Sequence, residues 1–194
     1  MRPTRDIEDL WKKFNVNVDL LSKRRPEIRS MVDSLENRLV DCSVSVSSDN
    51  FGCGPGGLIE LAVSVVSKMR ALSKSLDLKV SQESITFVGL LHSIGSIGDV
   101  DGESLLLPQD SSWHIDRGVL YKYNDAPLKL TCPLRSLFIL SSFGIQMSID
   151  EWAAIAQSMG QHREENRQYI GHESPLSLLL TTSRQWVFND RVDN

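Results

Sequence analysis

This sequence lacks two features that would assign it to a membrane or to nucleic acid. No apolar run approaches the roughly 20 residues that a membrane-spanning helix needs. Positive charge is not in excess either, because 21 lysines and arginines stand against 25 aspartates and glutamates, a formal net charge of −4 at pH 7. We therefore expect no membrane partner and no direct contact with nucleic acid.

Cysteine is also scarce. Cys42, Cys53 and Cys132 are odd in number and form no Cys-x-x-Cys pair, which argues against a disulfide framework or a zinc site. The first residues contain no apolar signal region, so the cytoplasm is the expected location. A chain of 194 residues with 41% hydrophobic residues has enough apolar material for one domain with a full core.

Apolar residues recur three and four positions apart through most of the chain, which predicts an all-α domain. The clearest stripe runs from Leu58 to Leu72. An amphipathic stretch after Thr4, a candidate helix cap, predicts an N-terminal arm over residues 1–24. The main domain is then expected over residues 25–194.

The middle of the chain breaks this periodicity. Glycines and prolines interrupt residues 95–130 and predict a long irregular central loop. Residues 119–123, with the sequence VLYKY, are predicted to form either a short strand or an extended turn.

Residues 87–100 read FVGLLHSIGSIGDV. This stretch resembles the signature of HD-domain metal-dependent phosphohydrolases, in which Leu-Leu-His-Asp-Ile-Gly-Lys supplies metal ligands. Residues 55–60 (PGGLIE), 130–137 (LTCPLRSL), 164–169 (EENRQY) and 173–180 (ESPLSLLL) are similar, in the same order, to motifs of a phage and bacterial branch of that family. The resemblance covers roughly residues 25 to 188. It implies a single HD-like helical bundle and a bacteriophage origin.

The resemblance also implies where metal ligands and catalytic groups would fall. The family's paired His-Asp falls on His92 and Ser93, so only the histidine is kept. The remaining positions carry Phe51, Leu61, Cys132, Ser158, Met159 and Arg184. One imidazole cannot replace water around a hard cation, and Arg184 adds a repelling charge. The resemblance therefore implies a degenerate pseudoenzyme with no catalytic residues, no metal and no cofactor. His92 is most simply a buried helix histidine with one hydrogen bond.

The expected function is non-catalytic: a protein-binding or scaffolding subunit whose partner is not identified by the sequence. Aromatic residues often dominate protein interfaces, and the central loop supplies the candidates Trp113, Val119, Tyr121 and Tyr123.

Two alternatives stay open. A metal-free nucleotide or phosphate sensor would use His92, Arg135 and Arg184, because guanidinium groups match phosphate oxygens. Arg184 would otherwise pair with Glu60 or Glu164. An active phosphohydrolase with an unusual ligand set is the least favoured interpretation.

Overall fold

The computed structural model describes residues 6–189, most of which are helical. This agrees with the class that the apolar periodicity predicts, with a small sheet added. No helix in that range combines the length and apolarity needed to cross a bilayer. The helices are α1 (Ile7–Ser22), α2 (Glu27–Asp41), α3 (Gly57–Ser75), α4 (Gln82–Leu91), α5 (Ser112–Ile115), α6 (Cys132–Ser142), α7 (Ile149–Ala156) and α8 (Pro175–Asn189). Short 3-10 helices lie at Ile94–Ile97 and Glu164–Tyr169, and the strands are β1 (Leu106–Pro108) and β2 (Tyr121–Tyr123).

Helix α3 lies at the centre of the bundle and packs against α1, α2, α4 and α8. Its buried stripe includes Leu58, Leu61, Val65 and Met69, each at most 3% exposed. Full burial of one such side chain contributes roughly 1.5–3 kcal/mol. The helix begins after Gly56, whose φ of +75° lies in the left-handed region that favours glycine.

Helix α1 belongs to the same bundle. Its N-cap is Asp6, whose carboxylate accepts a hydrogen bond from the backbone N–H of Asp9 at 2.9 Å; Thr4, the expected cap, lies outside the described residues. Phe14, Val18 and Leu21 are buried, and the helix packs against α2, α3 and α4. The described part of the expected N-terminal arm thus contributes to the core of the main domain.

The central segment, defined here as residues 98–130, has more regular structure than its sequence suggests. Strands β1 and β2 pair antiparallel, with Leu106 opposite Tyr123. Three backbone hydrogen bonds attach the segment to residues 46–48. Ser48 N–H donates to the carbonyl of Gly118 at 2.8 Å, and the N–H groups of Leu120 and Tyr121 donate to that of Val46 at 2.8 and 3.1 Å. The sequence predicts either a short strand or an extended turn for residues 119–123, and a strand is observed over the last three of these residues.

A buried arginine fixes both ends of the central segment. Arg135 in α6 is 1% exposed, and it donates from Nη1 to the carboxylate of Asp99 and from Nη2 to the carbonyl of Leu128. Arg38 of α2 supports the first end by donating to the carbonyls of Ile97, at 2.7 Å, and Val100. Because an unpaired buried charge is strongly destabilising, these bonds hold the segment against α2 and α6.

Replacement of Asp99 by Ala is expected to lower the free energy of unfolding by about 2 kcal/mol, since it leaves the buried guanidinium of Arg135 with one partner fewer. Urea denaturation followed by circular dichroism measures the change. Asp125→Ala, which removes an exposed ion pair with Lys129, is the matched control and should leave the midpoint unchanged. Equal effects of the two substitutions would show that Arg135 does not anchor the segment.

Candidate functional site

His92 caps the C-terminal end of α4 and is 1% exposed. Its Nδ1 lies 3.0 Å from the carbonyl oxygen of Gly89, and because that oxygen can only accept, Nδ1 carries the proton. Burial, followed by the positive charge of Arg184, lowers the pKa of His92 to about 3. The ring is therefore neutral near pH 7. Its Nε2 is a buried acceptor with no hydrogen-bond partner in the described part of the chain.

This arrangement is the one that a metal-binding imidazole adopts, with one ring nitrogen donating to a carbonyl and the other left for the ion. The surrounding residues do not complete such a site. Ser93 offers a neutral hydroxyl where the family has a carboxylate, and across residues 6–189 no three His, Cys, Asp or Glu side chains are grouped so that they could hold a metal ion. The donor set does not fit a hard divalent cation.

Arg184 of α8 brings a positive charge to the same place. Its guanidinium packs over the ring of Phe188, 4.6 Å from the centroid, and Phe188 contacts Phe51 edge-on with centroids 5.7 Å apart. Burial lowers the pKa of Arg184, Arg163 lowers it further, and Cys132 acts in the opposite direction. Arg184 is thus near enough to His92 to influence its pKa.

The Nε of Arg184 is buried without a hydrogen-bond partner among residues 6–189. Glu164, one of the two expected partners of Arg184, instead lies 3.7 Å from Arg167. The expected pairing of Arg184 with Glu60 stays a prediction.

The structure brings together some of the aligned positions and leaves others in the core. Cys132, the first residue of α6, donates from Sγ to the carbonyl of Ser93 at 3.8 Å. His92, Ser93, Cys132 and Arg184 are called the His92 cluster below, with Phe51 joined to it through Phe188. Of the other aligned positions, Leu61 is buried in α3, and the buried Ser158 and half-buried Met159 follow the end of α7.

Ser136, which the sequence analysis did not single out, holds the cluster in place. Its hydroxyl donates to the carbonyl of His92 at 2.8 Å and accepts from the backbone N–H of Gly95 at 2.9 Å. A Cβ on Gly95 would lie 2.4 Å from the carbonyl oxygen of Cys132, so only glycine permits this approach. The sequence does contain a signal for this contact, because Ser136 lies in one HD-like motif and Gly95 in another.

Within the described residues no hydrogen bond or ion pair joins the side chain of Arg135 to the cluster. Its two Nη atoms bind Asp99 and Leu128, and its Nε is buried without a partner among residues 6–189. Of the three residues expected to bind phosphate, Arg135 is therefore held by other groups, and Arg184 is near enough to His92 to lower its pKa.

The four partner-binding candidates divide into two pairs. Trp113 is 57% exposed and Tyr123 is 70% exposed, whereas Val119 and Tyr121 are half-buried. The Trp113 ring is supported by Arg117, whose guanidinium lies 3.8 Å from its centroid. Trp113 and Tyr123 are thus the accessible aromatic residues of this set.

Comparison with protein-family models, with curated proteins and with solved structures finds no match for this chain. The HD-like assignment therefore stays a prediction that rests on the sequence motifs.

The His92→Asn variant should show a weaker loss of stability with acid than the wild type. The unfolded chain takes up a proton on His92 near pH 6.5 and the folded protein only near pH 3, so folding is progressively opposed as the pH falls through this window. Relative to that of His92→Asn, the free energy of unfolding of the wild type should fall by about 1.4 kcal/mol for each unit of decreasing pH between about pH 6 and pH 4.

Urea denaturation at a series of pH values measures this shift. The asparagine amide can keep the bond to Gly89 but does not titrate, and the exposed His114→Asn variant serves as control, with a curve expected to follow the wild type. Parallel curves for His92→Asn and wild type would contradict a neutral buried His92.

Proposed function

We propose that this chain is a catalytically inactive HD-like domain, encoded by a bacteriophage and acting in the host cytoplasm as a protein-binding or scaffolding subunit. The observation that carries the proposal is the buried, neutral His92 beside a positive charge instead of further metal ligands. Its imidazole keeps the hydrogen bond of a metal ligand, while the charge of Arg184 is near enough to lower its pKa and would oppose a bound cation. Metal-assisted hydrolysis needs several anionic or imidazole ligands around the ion, and the His92 cluster offers one.

The binding role is supported by the central segment. Trp113 and Tyr123 are exposed on a backbone that the two strands and Arg135 already hold in place. A surface that is ordered before binding loses less conformational entropy when the partner arrives. Large, rigid aromatic side chains of this kind often supply most of the energy of an interface.

A second candidate is a metal-free phosphate or nucleotide sensor, favoured by the buried Nε of Arg184, which has no hydrogen-bond partner among residues 6–189. A buried polar group without a partner is costly, and a bound anion would supply one. Because Arg135 is bound to Asp99 and Leu128, this sensor would rely on Arg184, with Arg163 near enough to affect its charge. An anion there would also favour protonation of His92.

The purified protein should release no phosphate from nucleotides or other phosphoesters with added Mn²⁺, Mg²⁺, Ni²⁺ or Co²⁺, because the ligands for an activated hydroxide are missing. Elemental analysis should find no stoichiometric transition metal bound at His92. Ser93→Asp alone should not restore activity, since it supplies only one ligand. Turnover that survives purification and disappears in His92→Ala would contradict the proposal.

The same preparation distinguishes the sensor from the scaffold. An anion that binds only the folded state raises its stability, by roughly 2.7 kcal/mol at a hundredfold excess over the dissociation constant. A rise in melting temperature with inorganic phosphate or dGTP that Arg184→Met abolishes and Arg167→Met retains would favour the sensor. No shift in any of the three proteins would favour the scaffold.

The Trp113→Ala/Tyr123→Ala double variant should lose its protein partner while keeping the melting temperature of the wild type, because both side chains are mainly exposed. Affinity purification from the native host with quantitative mass spectrometry measures partner recovery. Trp186→Ala, at a tryptophan that is 60% exposed on α8, is the matched control. Unchanged recovery with the double variant, or equal loss with the control, would place the interface elsewhere.

A further inference from the structure

A polar cavity of about 350 Å³ lies beside the end of α7, the 3-10 helix Glu164–Tyr169 and the outer face of α8. None of the residues that line this cavity belongs to the His92 cluster, and none is one of the four partner-binding candidates of the central segment. Neither proposed function therefore uses the cavity. Its volume falls within the range of about 300–1,000 Å³ that is usual for small-molecule sites.

Neutral hydrogen-bonding groups supply a large part of the lining of this cavity. Leu178, Thr181, Thr182 and Gln185 line it from α8, and their spacing places them on one face of that helix. Gln157 lines the opposite side, and its Oε1 is buried without a hydrogen-bond partner among residues 6–189. An unsatisfied buried acceptor is uncommon in native proteins and calls for an explanation.

The walls of the cavity are held by hydrogen bonds of the protein itself. Asn166 is 5% exposed and donates from Nδ2 to the carbonyls of Gln157, at 3.2 Å, and Gly160, at 2.9 Å. Glu173 accepts hydrogen bonds from Gly171 N–H, at 2.7 Å, and from the side chain of Gln161. These bonds join the end of α7 to the chain that enters α8, so the cavity is formed before any ligand binds.

The charges at the cavity disfavour an anion. As far as residues 6–189 are concerned, no lysine or arginine lines it, whereas the carboxylate of Glu173 and the imidazole of His162 do. The backbone N–H of Glu173 itself, and then Gln161, stabilise the ionised carboxylate and hold its pKa below the usual range. A phosphate or carboxylate would meet this negative charge with no lysine or arginine in the described lining to compensate it.

Apolar surface in the same cavity comes from Tyr169 and Leu178, which are 36% and 47% exposed. A ligand that matches both kinds of surface needs hydroxyl groups around its edge and an uncharged C–H face. We propose that the cavity binds a neutral sugar ring, either a free saccharide or the sugar of a nucleoside, with Gln157, Thr182 and Gln185 contacting its hydroxyls and Tyr169 its face.

Saturation-transfer NMR and calorimetry on the full chain test this with four probes: D-glucose, D-ribose, adenosine and uridine. At least one probe should bind with a dissociation constant of roughly 1 mM or tighter. Thr182→Val and Gln185→Leu each remove hydrogen-bonding groups with little change in size, and each should weaken binding about tenfold. Gln82→Leu, at an exposed glutamine of α4, is the matched control and should bind like the wild type.

The pattern of probes identifies the source of the sugar. Binding of the nucleosides alone indicates a nucleoside, and binding of a free sugar indicates a saccharide; both results support the proposal. No binding of any probe up to roughly 10 mM, or binding that neither Thr182→Val nor Gln185→Leu weakens, would overturn it. Circular dichroism confirms folding of the variants, and Tyr169→Ala replaces any that unfolds, with the same expected weakening.

Discussion

The guanidinium of Arg135 is the constraint on which the rest of the structure depends. It is buried in the first turns of α6 and binds the central segment near both ends, at Asp99 and at Leu128. The next residue, Ser136, fixes the turn that follows His92 through two hydrogen bonds. One short stretch of α6 therefore sets the position of the exposed aromatic residues and of the His92 cluster together.

The His92 cluster shows how a buried site accommodates a positive charge. His92 stays neutral because burial, and then the positive charge of Arg184, lowers its pKa to about 3. Arg184 spreads its charge over the face of Phe188, which partly compensates for lost hydration. The cluster therefore holds one positive charge, which is that of the Arg184 guanidinium.

The sequence is sufficient where local periodicity decides the structure, and the predicted stripe from Leu58 to Leu72 is observed in α3. In α6 the apolar residues do not identify the buried side, because Leu134 and Phe138 are exposed while Arg135 and Ser136 are buried. Arg135 and Ser136 bind residues about 40 positions earlier in the chain, which no local pattern reveals.

Because Arg135 holds residues 99 and 128 in place, the chain between them can change in evolution at little cost in stability. The entropy cost of closing a loop grows only slowly with its length, by about 0.6 kcal/mol for each doubling. Insertions between these two points therefore cost little stability as long as Arg135 holds the ends. The stretch between them can therefore vary in length and sequence while the helical bundle stays unaltered.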